Sequence, residues 1–90
     1  MGNCQATKYR INYSDDTTMI NNFGAGQIVN LSPQPPFKYT YTWNVYAPSN
    51  KTILSIDIIS EDEQTIYQTI TDLDFEQNKL YTLTQDVYVV

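Results

Sequence analysis

From Tyr39 to Tyr46 the chain alternates with a period of two. Tyr39, Tyr41, Trp43 and Val45 fall on one face, and Thr40, Thr42, Asn44 and Tyr46 on the other. Alternation built from aromatic and β-branched residues predicts a half-buried strand. The only tryptophan, Trp43, lies near its middle, which makes this the expected central strand of an all-β core. The same period recurs along the chain. Tyr9, Ile11 and Tyr13 share a face of a short first strand, closed by the turn signal Ser14-Asp15-Asp16. Thr17 to Ile20 predicts a second strand, broken by Asn21-Asn22. After Gly24-Ala25-Gly26, where glycine permits a tight turn or bulge, Gln27 to Leu31 predicts a third, with Val29 and Leu31 on one side and Ile28 on the other. Thr52 to Ser60 sets Leu54, Ile56 and Ile58, expected to pack near the Tyr39–Tyr46 strand, against Ile53, Ser55, Asp57 and Ile59. It is apolar on most of both faces, as befits a strand inside a sheet. Gln64 to Ile70 returns with Ile66 and Ile70 inward and Tyr67 outward. Lys79 to Val90 forms a long last strand with Tyr81, Leu83, Val87 and Val89 on one face.

The connections carry the matching punctuation. Ala47-Pro48-Ser49-Asn50-Lys51 is a turn, and Glu61-Asp62-Glu63 is a hairpin turn. Ser32-Pro33-Gln34-Pro35-Pro36 must interrupt the sheet, since proline lacks the ladder's donor, and it is expected to carry the chain from one sheet to the other. Pro33 and Pro36 also stand at the spacing of a polyproline recognition motif, with Lys38 two residues on, a pattern that arises often by chance. Six or seven strands with turn signals about ten residues apart predict a small antiparallel β-sandwich. Residues 9–90 are its single domain, and residues 1–8 are expected to be a flexible tether.

Composition supports this class. Ninety residues make one domain, and eight tyrosines with many threonines, isoleucines and valines favour strands over helices. The net charge of −5 is unevenly spread: residues 1–51 carry four bases and two acids, residues 52–90 one base, Lys79, and eight acids. A half so acidic does not fit a nucleic-acid backbone, which calls for clustered Lys and Arg. It fits a solvated surface that keeps a tyrosine-rich sheet soluble, or one that meets cations or a basic protein partner. No apolar run approaches the roughly 18 residues of a membrane span.

Cys4 is the only cysteine, so no disulfide forms within the chain. Met1-Gly2-Asn3-Cys4 is open to three readings: residues left by cloning, the remnant of a lipoprotein anchor lipidated at Cys4, or an N-myristoylation start with Cys4 as a palmitoylation site. The last wants Ser or Thr where Ala6 stands.

Tyr67-Gln68-Thr69-Ile70-Thr71-Asp72-Leu73, a polar turn, and Tyr81-Thr82-Leu83-Thr84 resemble the end of immunoglobulin-like and fibronectin type III-like sandwiches. The resemblance makes Leu73 a plug at the bottom of the core and Tyr81 a corner tyrosine bonded back across the turn. Trp43, in a strand ending at Ala47-Pro48, is similar to the fibronectin-type core tryptophan, expected to face Leu73 and Tyr81. The cadence around Lys79-Leu80-Tyr81-Thr82-Leu83-Thr84 is also similar to that of fimbrillin-type surface lipoprotein sandwiches. The resemblance covers residues 40–90 and implies an immunoglobulin-like architecture. Only about thirty residues separate Trp43 from Leu73, few for the strands that should intervene.

Catalysis finds little support. Histidine is absent, Cys4 lacks a histidine partner, and the serines and threonines have no base to activate them. Two carboxylates alone can hydrolyse a glycoside, but a domain this small offers little room for the cleft. We therefore expect a protein that is not an enzyme and needs no cofactor. Asp72, Asp74 and Glu76 are weak calcium candidates, lacking the glycine and the closing glutamate of an EF-type loop, where Gln77 and Leu83 stand. Asn12, Asn30 and Asn50 begin glycosylation sequons, against about 1.4 expected by chance from eight Asn and 16 Ser plus Thr. Tyr46, Tyr67 and Tyr88 are the outward tyrosines that would make a protein- or sugar-binding strip, unless they serve ordinary cross-strand pairing. The leading expectation is an interaction or structural module, secreted or on a cell surface, that meets a protein partner or its own copy through a sheet face or an edge strand, above all Lys79 to Val90. The alternatives are a small acidic viral or phage-type inhibitor of a host protein, and a carbohydrate- or calcium-binding module.

Overall fold

The computed structural model describes residues 6–89, with the backbone alone for Ala25. Seven strands alternate in pairs between two layers: β1 (Ala6–Tyr13), β2 (Thr18–Asn22), β3 (Ile28–Asn30), β4 (Phe37–Ala47), β5 (Ile53–Ser60), β6 (Ile66–Ile70) and β7 (Lys79–Val89). The larger sheet has the order β2-β1-β5-β6, the smaller β3-β4-β7, and every pairing is antiparallel. The protein is thus an all-β sandwich of four strands on three. Constant-type immunoglobulin domains divide four and three as well; in chain numbering their neighbours run 1-2-5-4 and 3-6-7.

The alternation of β4 does what its pattern dictates. Tyr39, Tyr41, Trp43 and Val45 are buried, Thr42, Asn44 and Tyr46 are exposed, and the strand is the middle one of its sheet. Facing it, β1 contributes Tyr9, Ile11 and Tyr13, and β5 contributes Ile53, Ile56 and Ile58. Leu73 and Tyr81 join this core as partly buried margins. Rings packed about Trp43 include Tyr9, tilted at 5.7 Å between centroids, and Phe23, at 5.1 Å and edge-on. Phe23 also lies 4.7 Å from Tyr41. The indole N–H of Trp43 is buried with no hydrogen-bond partner, a cost of about 1–3 kcal/mol that the ring's packing must exceed.

Several expectations give way to longer-range forces. β1 begins at Ala6, so residues 6–8 belong to the sheet and not to a tether. Ala6 pairs with Ser60, and its carbonyl accepts the buried Tyr41 hydroxyl at 2.7 Å, which ties the two layers together. Asn21 and Asn22 do not break β2; they are its last two residues and pair with Tyr9 and Lys8. The sheet change occurs at Phe23–Gln27, through a 3-10 turn at Ala25–Gln27 in which the Gln27 side chain accepts the Gly24 N–H at 2.6 Å. The proline-rich Ser32–Pro36 therefore closes a hairpin within the smaller sheet, with the Leu31 N–H bonded to the Lys38 carbonyl.

Two bulges re-aim side chains. Asn12 pairs with Ser55 but Tyr13 with Ile53, so Leu54 is extruded to 55% exposure and Ile53 takes the core position that alternation gives to Leu54. Likewise Ile58 pairs with Gln68 but Ile59 with Ile66. The skipped Tyr67 turns onto the core, and Ile66 is left outside.

Candidate interaction surface

Of the three tyrosines singled out as outward, Tyr46 and Tyr88 are exposed on the outer face of the smaller sheet, whereas Tyr67 is packed against the core by the β6 bulge. The three form no strip. Tyr46 stands opposite Leu80 and Tyr88 opposite Lys38, eight residues apart along β7, or about 27 Å at about 3.4 Å per residue. The side chains between them serve one another. The Thr42 and Thr84 hydroxyls lie 3.3 Å apart, Thr82 donates to Asn44 Oδ1 at 2.8 Å, and Thr40 donates to Asp86 Oδ1 at 2.8 Å. A face whose polar groups are paired across strands has little left to offer a ligand.

Asp72, Asp74 and Glu76 do not gather. Leu73 and Phe75 turn inward between them, and the Glu76 carboxylate is held by Lys79. Among the described residues no three acidic, cysteine or histidine groups converge as metal ligands. The segment's order comes instead from Tyr81, whose ring stacks on Phe75 at 4.2 Å and whose hydroxyl accepts the Glu76 N–H at 2.7 Å. Cys4 lies outside the described residues.

Sequence reasoning missed the most elaborate polar cluster, on the outer face of the larger sheet. Asp57 on β5 is 5% exposed. Its Oδ2 accepts Arg10 Nη2 at 2.8 Å, Arg10 Nε at 3.1 Å and Asn12 Nδ2 at 3.0 Å; its Oδ1 accepts the Thr69 hydroxyl at 2.8 Å. Burial alone would raise its pKa, but the hydrogen bonds from Asn12, Arg10 and Thr69, with the Arg10 charge, hold it below the ordinary aspartate value. The available signal was a lone carboxylate in an otherwise apolar run. With both oxygens hydrogen-bonded, it locks β1, β5 and β6 together.

Edges remain. β7 pairs with β4 along its whole length, from Lys79 opposite Ala47 to Val89 opposite Phe37, and among the described residues no strand lies on its other side. The Ala47 carbonyl accepts the Asn78 N–H, so odd-numbered residues of β4 and β7 face each other. By the same alternation the backbone N–H and C=O of Leu80, Thr82, Thr84, Asp86 and Tyr88 point outward.

No family model, no curated protein and no solved structure matches the chain.

The edge is therefore defined by its own geometry. It runs eleven residues, twice the length of an average strand. Asp86 is its only acid and Lys79 its only base, which is sparse protection for an exposed edge. Among the described residues no helix is long and apolar enough to cross a membrane.

Proposed function

We propose that this chain is a non-enzymatic interaction module, secreted or displayed on a cell surface, that associates with protein by adding a strand to an edge of its smaller sheet. The observation that carries the reading is β7: eleven residues long, paired on one side only, with five residues offering their backbone groups outward. Strand addition draws affinity from main-chain hydrogen bonds and specificity from alternate side chains. Leu80 and Tyr88, at 64% and 61% exposure, are the large apolar side chains available for the second task.

Replacing Thr84 by Pro removes an outward N–H and leaves the ladder to β4 intact, since proline is tolerated where a strand's N–H faces solvent. Light scattering across a concentration series, with and without added strand-forming peptide, should show association by the native protein and none by Thr84→Pro at equal fold content. A strict monomer that binds no such peptide would overturn the reading. So would association that Thr84→Pro leaves untouched.

A further inference from the structure

The smaller sheet is incomplete on its other side as well. β3 is three residues long and pairs only with Tyr39, Thr40 and Tyr41 of β4, so among the described residues no strand pairs with β4 on that side beyond Tyr41. The Lys38 carbonyl faces β3, and even-numbered residues of β4 share that direction. Hence the backbone groups of Asn44 and Tyr46, two donors and two acceptors, face the gap.

A groove of about 370 Å³ opens at this gap, between the half-bare strand and the edge strand β2 of the opposite layer. Its floor is Tyr9, Ile11 and Tyr13 of β1 with Val45 of β4, and Met19, Tyr46 and Leu80 stand at its rim. These rim residues are 43%, 53% and 64% exposed, an apolar cluster of the kind that marks a contact site. No lining residue is charged. Lys51, above the lining Tyr13 ring, is already paired: it is bonded to Thr17 and lies 3.6 Å from Asp15.

We propose that this groove accepts an extended peptide segment of another protein, which continues the line of β3 beside Asn44 and Tyr46 and sends uncharged, apolar side chains inward at alternate positions. The proposal rests on the reading of the chain as a strand-addition module and assigns it a second acceptor edge. Two features choose the occupant. Exposed backbone donors and acceptors beside an apolar cavity call for a chain with both a backbone and side chains, and a neutral lining excludes inward charge, which would be desolvated without a partner. A second copy of this chain docking by the same edge would be confined to Thr42–Ala47, between β3 and Pro48. Six residues a side is well short of the roughly 20–30 that stable interfaces use. A linear segment that buries itself in the groove escapes that limit.

The test is to pan the full chain against a displayed library of linear decapeptides and to synthesise the enriched sequences. They should carry apolar residues at alternate positions with no charge between them. Binding should weaken at least tenfold with Met19→Arg, which charges the rim, and with Asn44→Pro, which removes a backbone donor at the gap. Thr84→Pro should leave it unchanged. Met19 is an exposed rim residue, so its variant keeps the test open should Asn44→Pro fail to fold. The Asn44 and Tyr46 amides should gain hydrogen-exchange protection with peptide bound. Peptides whose binding ignores both groove variants but is lost with Thr84→Pro would overturn this inference and leave the β7 reading standing; no binding at either edge would remove both. A concentration-dependent dimer of the native chain, made monomeric by Asn44→Pro, would show that the occupant is a second copy and overturn the assignment.

Discussion

Arg10 holds Asp57 through two nitrogens on a single carboxylate oxygen, Nη2 at 2.8 Å and Nε at 3.1 Å, on the outer face of a four-stranded sheet. The pair joins neighbouring strands at directly opposed positions, and Thr69 across the other ladder completes it. Arg10→Ala strands a buried carboxylate. The loss should be about 2–3 kcal/mol, below the range for fully enclosed pairs because the Arg10 side chain keeps 24% exposure. Replacing both partners by apolar residues of similar size, Arg10→Met with Asp57→Leu, should restore most of that stability. Urea unfolding followed by Trp43 fluorescence measures both.

The same cluster sets an acid limit. The folded pKa of Asp57 lies below its unfolded value, so its stabilisation is fully present above the unfolded pKa of about 3.9 and fades as pH falls through the folded one. The melting temperature should therefore fall below about pH 4. Asp57→Asn, already less stable at neutral pH, should lose less on acidification, so the two melting curves converge. Curves that stay parallel from pH 7 to pH 2 would contradict the role given to Asp57.

Tyr81→Phe keeps the ring stacked on Phe75 and removes only the hydroxyl that accepts the Glu76 N–H. The cost should be about 1 kcal/mol, or about 4–8 °C in melting temperature for a domain of this size. Tyr81→Leu, which also loses the stacking, should cost more.

The two bulges predict an inversion of ordinary hydrophobic rules. Leu54→Ser and Ile66→Ser, at positions that simple alternation puts in the core, should each change stability by no more than about 0.5 kcal/mol. Ile53→Ala, at the position alternation points away from the core, should cost about 2–4 kcal/mol because the side chain is 5% exposed. Thermal melts of the three variants decide it.

Those bulges also mark where the sequence stops being readable. β4 is legible because its pairing with β7 is uninterrupted and its burial follows the alternation residue by residue. β1 is legible because Tyr9, Ile11 and Tyr13 all reach the core, although the register with β5 shifts after Asn12. In β5 and β6 a single unpaired residue flips every side chain beyond it, and nothing local announces the slip. Alternation alone therefore puts Leu54, Ile66 and Tyr67 on the wrong faces. Ser32–Pro36 was legible as an interruption but not as a hairpin, since proline forbids a ladder without saying what flanks it. The Asp57 cluster depends on Arg10, Asn12 and Thr69 from two other strands, so its partners appear only once the order β1-β5-β6 is known. Phe23, an isolated aromatic next to a glycine, gave no periodic signal although it packs against three core rings.

Residue-resolved hydrogen exchange on β7 tests the proposed edge most directly, because the alternation of the strand supplies an internal control. In the free monomer the amides of Tyr81, Leu83, Gln85 and Val87 should be protected by β4, while those of Thr82, Thr84 and Asp86 exchange freely. On association, with its own copy or with a strand-forming peptide, the second set should become protected while the first changes little. If association leaves Thr82, Thr84 and Asp86 exchanging as before, and protection arises instead on the four-stranded sheet, strand addition at the smaller sheet is contradicted.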